Sequence, residues 1–146
     1  SVPVELRLWE FVEGPRSTDD ALSIDVQPNL ERIDQETQLV VRVTAVNSSE
    51  ADAERVLVTV PLPAGFEVAD QGLGAQREKG EIDGFSIDPL RVLFYWEKIS
   101  ANGEVSCQVR LNAVATGTMT AVAPSLHRLA DPERRAWDKQ WRVVVE

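Results

Sequence analysis

Residues 91–113 read RVLFYWEKI, SANG, EVSCQVRLNA. In the last run Val105, Cys107, Val109, Leu111 and Ala113 alternate with Glu104, Ser106, Gln108, Arg110 and Asn112. Alternation of this kind is the period of a strand with one dry and one wet face. The first run is different. Val92, Phe94 and Trp96 share one side, and Leu93, Tyr95 and Ile99 the other. A strand apolar on both sides is usually central and covered, at least in part, on both. Between the two runs, Asn102-Gly103 can take the positive φ of a tight turn. The stretch therefore predicts a β-hairpin around which the other strands pack.

Outward from it, more strands follow. Leu39–Val46 (LVVRVTAV) and Val56–Leu62 (VLVTVPL) alternate strongly, and Pro61 ends the second or puts it at an edge. Pro63-Ala64-Gly65 is a turn that returns Phe66 and Val68 to the core. Toward the N-terminus, Ala21–Val26 is a short strand and Gly14–Asp20 a loop. Ser1–Glu13 reads as a strand with Val2, Val4, Leu6 and Leu8 on one face and Trp9 and Phe11 on the other. Leu30–Glu36 is polar, with Leu30 and Ile33 dipping inward.

Ala69–Gly84 holds four glycines and few apolar groups, which argues against a helix. Phe85–Ile87 begins a strand, and Asp88-Pro89 turns the chain into the next. Thr118–Leu129 is a strand broken by Pro124. Asp131-Pro132-Glu133 reads as an irregular loop rather than a capped helical turn. Trp137, Trp141, Val143 and Val145 share a face of the last strand. The expectation is one all-β domain over residues 1–146, an antiparallel two-sheet sandwich of about nine strands with little helix.

The bulk numbers narrow the function. A chain of 146 residues with net charge −9 lacks the basic face that a phosphate backbone or an anionic membrane needs. No apolar run is long enough to insert in a bilayer. One cysteine, Cys107, excludes an intrachain disulfide, and its place on an apolar face makes it a small buried hydrophobe. One histidine, His127, leaves a triad or a zinc site without ligands enough. Asp19-Asp20 and Asp83 with Asp88 are oxygen-rich loops that could hold calcium, but without EF-hand order. Gly72-Leu73-Gly74 lacks the third glycine of a dinucleotide fingerprint. No cofactor and no metal are expected, and the reading is not an enzyme.

Two features bear on binding. Trp9, Trp96, Trp137 and Trp141 could stack on sugars, although apolar neighbours favour the core for each. Asn47-Ser48-Ser49 has the pattern of a glycosylation sequon.

Four segments carry a resemblance. They are VTVPLPAGFEV (58–68), RVLFYWEKIS (91–100), Val109–Thr118 with its Thr116-Gly117 turn, and PSLHRLADPERRA (124–136). In order and spacing they resemble the C-terminal, receptor-binding-like β-sandwich of the α-2-macroglobulin and complement family, bacterial type. The resemblance covers roughly Leu39–Ala136 and implies a module of a longer chain, periplasmic or secreted, with its export signal elsewhere. It also implies a non-catalytic docking domain of a protease-inhibitor trap, packed against a thioester-type domain. Its partners would be other domains of the same parent chain and, indirectly, proteases.

In thioester-bearing members, aromatic residues of this domain help shield the bond from water. Tyr95 matches one such position. Ala130 stands where the family usually has Tyr, so a shield here would be built differently. The lysine-bearing helix of vertebrate receptor binding is not matched, since Lys79 is the only lysine of residues 69–84. The implied partner interface is Tyr95, Leu126, Leu129, Ala130 and Glu133. The alternative is a carbohydrate-binding or adhesion sandwich of a bacterial surface protein.

Overall fold

Alternating burial builds most of the molecule. The computed structural model describes residues 16–69 and 72–146. In chain order the strands are β1 (Leu22–Pro28), β2 (Arg32–Ile33), β3 (Leu39–Asn47), β4 (Ala53–Pro61) and β5 (Phe66–Val68). Helix α1 (Leu73–Glu78) follows, then β6 (Gly84–Ile87), β7 (Arg91–Ile99), β8 (Glu104–Ala113) and β9 (Gly117–Ala121). β10 (Ser125–Arg128), β11 (Asp131–Trp137) and β12 (Trp141–Val145) complete the set. The segment read as a strand over Ser1–Glu13 lies outside the described residues.

Two sheets make the sandwich. One has the order β1-β3-β8-β5 and the other β11-β10-β4-β7-β6. A third, β2-β12-β9, adds Ile33, Ala121, Val143 and Val145 to the same core. All pairings are antiparallel except β2 with β12. Among the described residues the strands number twelve, against the nine or so expected, because short edge strands such as β2 and β5 leave little periodic signal.

The predicted hairpin between residues 91–99 and 104–113 does not form. β7 pairs with β4 and β6, and β8 with β3 and β5, so the SANG turn crosses from one sheet to the other. Asn102 does take a positive φ of 55°. Turn chemistry fixes the local bend but not which strands it joins. The hairpin lies one step earlier, β6 to β7, where Asp88 Oδ1 accepts from the N–H of Leu90 at 2.8 Å and of Arg91 at 3.0 Å.

Asn47 binds the crossovers together. Its side chain is fully buried and donates to the carbonyls of Ala51 (2.9 Å), Ile99 (3.0 Å) and Ser100 (3.3 Å). Its Oδ1 accepts from the N–H and hydroxyl of Ser49. The end of β3, the start of β4 and the β7–β8 crossover thus meet on one amide. A buried side chain so engaged is a structural anchor and no glycan acceptor.

Residues 69–84 hold a helix after all. Gly72 (φ 97°) precedes it, and Gly80 (φ 79°) ends it. There Gly80 N–H bonds to Arg77 O and Glu81 N–H to Gln76 O, the paired bonds of a Schellman cap. Two of the glycines are therefore caps, and buried Leu73 and Ile82 anchor the segment to the core. Asp131-Pro132-Glu133, read as a loop, opens strand β11 instead.

Replacing Asn47 with Ala takes the side-chain donor from the buried Ile99 carbonyl and unties both crossovers, although the Ala51 and Ser100 carbonyls keep Ser49 Oγ and Gly103 N–H as donors. The expected loss is about 2–4 kcal/mol, measured as a lowered midpoint in urea unfolding. Asn47→Asp is expected to be no better, because a carboxylate cannot donate to those carbonyls.

Candidate docking surface

The outer face of the five-stranded sheet is built by cross-strand rows. One row runs Arg135 (β11), His127 (β10), Leu57 (β4), Tyr95 (β7), Gly84 (β6). The next runs Trp137, Ser125, Thr59, Leu93, Ser86. This explains the two apolar sides of residues 91–99. Val92, Phe94 and Trp96 fill the core, while Leu93 and Tyr95 stay half-buried on the outside. Arg55 takes a positive φ of 54°, and there the in–out alternation slips in β4 and its partner β7, so that Ala53 and Ile99 turn inward.

Three of the five expected interface residues gather here. The Tyr95 hydroxyl donates to Glu97 Oε2 at 2.5 Å, which raises the tyrosine pKa above its usual value. Glu97 faces Arg55 at 4.0 Å, and the Arg55 carbonyl accepts from Leu129 N–H at 2.9 Å. Leu129 is 48% exposed and Ala130 is exposed beside it. Tyr95, Leu129 and Ala130 are therefore linked through Arg55. Glu133 is exposed on edge strand β11, three residues after Ala130. Leu126 is corrected: it is fully buried, opposite Val58 and Ala136. β10 alternates, and His127, not Leu126, points outward.

His127 is the buried polar residue of this face. It is 8% exposed, and its Nδ1 has no hydrogen-bond partner among the described residues. Arg128 Nε, opposite core-facing Val56, and Trp141 Nε1 are also buried and unpartnered among them. Burial foremost, and then the Arg135 guanidinium, hold the His127 pKa below the usual 6.5. Arg135 is itself placed over Trp137, 6.0 Å from the ring centroid.

Other candidates are spoken for by the fold. Asp19 Oδ1 accepts from the N–H of Ala21 and Leu22, and Asp83 Oδ2 from that of Glu97. No group of three or more His, Cys, Asp or Glu among the described residues is placed to hold a metal. Cys107 is buried, and burial pushes its thiol up to about 12. Trp96 (2% exposed) and Trp141 (8%) lie in the core and offer no stacking surface, and Trp9 is outside the described residues.

This architecture is that of a macroglobulin-type β-sandwich domain. Residues 13–133 match the bacterial alpha-2-macroglobulin MG10 domain, and the chain belongs to that family. No curated protein matches it by sequence. Among solved structures it is similar to native alpha-2-macroglobulin from Escherichia coli, spanning MG7 to the C-terminus. The TM-score is 0.74 at 16% identity, covering 92% of this chain and 25% of that one. It is also similar to Salmonella alpha-2-macroglobulin reacted with methylamine, with TM-score 0.69 at 20% identity over 90% of this chain and 10% of that one. The cupredoxin domain of amoB from Nitrosocaldus yellowstonii matches at 0.52 and 15% identity, over 90% of both chains. The chain thus spans a tenth to a quarter of the alpha-2-macroglobulin chains it resembles.

The lowered His127 pKa has a signed consequence. Between the native pKa and 6.5 the unfolded chain binds more protons than the folded one, so stability rises with pH across that window. It is fully present above 6.5, falls as pH drops through that value, and levels off below the native pKa. Urea unfolding from about pH 7.5 to about pH 5 should show this component in the parent chain and lose it in His127→Gln.

Proposed function

We propose that this domain is a non-catalytic docking module of a bacterial alpha-macroglobulin-type protease trap. It seats the outer face of its five-stranded sheet on a thioester-type domain of the same parent chain. The reading places the domain at the C-terminal end of that parent, in the periplasm or outside the cell.

One observation carries it: on the outer face of the sheet His127 Nδ1 is buried without a partner among the described residues, two positions before exposed Leu129. Buried polar atoms in folded proteins are nearly always paired, so an orphan on an outer sheet face suits a surface whose partner lies elsewhere. In the same and the next cross-strand row lie half-buried Leu57, Leu93, Tyr95 and Trp137. An aromatic and aliphatic centre with an Arg-rich margin is the usual composition of an interface core. Family membership supplies the parent, and similarity to structures of E. coli alpha-2-macroglobulin activated by trypsin or by elastase supports its role as a trap. Tyr95 matches a position where family members shield the thioester, and Ala130 would leave more of that shielding to Tyr95 and its neighbours.

The test is made in the full-length parent with Tyr95→Ala and Leu129→Asp. Loss of an interface anchor costs more than about 1 kcal/mol, so limited proteolysis of the native form should be roughly tenfold faster in each. Any thioester should also decay faster. Unchanged rates in both variants would remove the interface from this face.

A further inference from the structure

We propose that a cleft beneath α1, on the other sheet of the sandwich, is a binding site for a small phosphate-bearing ligand. It has a volume of about 460 Å³ and lies where β8 runs on past the end of β5. Arg42 of β3 and Arg110 of β8 line it from the sheet, and Lys79 from the end of the helix. Arg42 pairs with Gln108 and Arg110 with Val40, so the two arginines are diagonal neighbours on one face, roughly 7–8 Å apart.

The charge pattern runs against the chain as a whole. The protein carries a net −9, yet three cations converge here on one lining carboxylate, Glu81. Among the described residues Arg42, Lys79 and Arg110 make no ion pair, which leaves their charges open to a ligand. Like charges gathered without counter-ions repel one another, and an anion relieves that repulsion. A phosphate monoester carries about −1.5 to −2 at neutral pH, which suits three cations against one carboxylate. Guanidinium forks match its oxygens in geometry as well as charge.

The cleft is shaped and fixed. Gln76 of α1 accepts from Gln108 N–H at 2.9 Å and donates to Gln108 O at 2.8 Å, which holds the helix in place over the sheet edge. The Ser106 hydroxyl and Glu81 are polar partners for hydroxyl groups on the ligand. None of the exposed large hydrophobic residues lies in the cleft, so an apolar occupant has nothing to bury against. The site is on the opposite sheet from the proposed docking surface and does not depend on it.

The experiment is calorimetric titration of the full-length parent, at constant ionic strength, with inorganic phosphate and with glycerol 3-phosphate. Succinate and phosphatidylglycerol vesicles serve as the other arms. Both phosphates should bind saturably at one site per chain. Arg42→Gln or Arg110→Gln should weaken binding by about 10- to 100-fold, the worth of one charge-assisted hydrogen bond. Glu81→Gln should tighten it, a result that misfolding cannot produce. No saturable phosphate binding, or equal affinity in all three variants, would overturn the site. So would equal affinity for succinate, or vesicle binding without binding of either free phosphate.

Discussion

The sandwich depends on one buried amide. Two sheets that share no ladder hydrogen bonds are held face to face by apolar contact, which has no direction of its own. Direction comes where the chain crosses between them. Asn47 sits at two such crossings and engages five partner groups in hydrogen bonds while fully buried. Its donors reach both crossings, Ala51 in one and Ile99 and Ser100 in the other, and its acceptor holds Ser49 in the first, so a single side chain ties β3, β4, β7 and β8. No apolar residue of the same size could do this, since packing alone would take the side-chain donor from the buried Ile99 carbonyl and leave the two crossings untied.

The two outer faces diverge from that common frame. The four-stranded sheet presents Arg42, Thr44, Ser106, Gln108 and Arg110, a solvated and locally cationic surface. The five-stranded sheet presents Leu57, Leu93, Tyr95 and buried His127. The difference comes from the strands themselves. β8 alternates strictly, whereas β4 and β7 carry apolar residues on both sides over much of their length. A sheet with such strands at its centre has an outer face that remains half-covered even in the isolated domain.

Much of this was legible in the sequence. The core positions of β3, β4, β7 and β8 follow from alternation, and the all-β class from their spacing. What failed was pairing. The Asn102-Gly103 turn has the residues of a hairpin, but its strands alternate with different partners, and nothing local encodes that Asn47 sits 55 residues away in the chain to receive Gly103. The helix was hidden because a count of glycines does not separate caps from interiors, although Gly80 directly after Glu78-Lys79 is the spacing of a C-cap. At the candidate surface, Tyr95 and Leu129 came from the family resemblance and not from periodicity. Leu126 was misplaced because the in–out phase of a four-residue strand flanked by Pro124 and a bulge cannot be read from four residues.

The amide of Gln76 has a further consequence. By donating to and accepting from the backbone of Gln108, it stands in for one residue of a missing strand. β5 covers only the last part of β8, so most of that side of the strand would otherwise be a row of open backbone groups. Such a row is a template for pairing with another chain. The short helix therefore works as a guard against aggregation. Its six residues cover part of an edge on which a second copy would otherwise find open backbone groups.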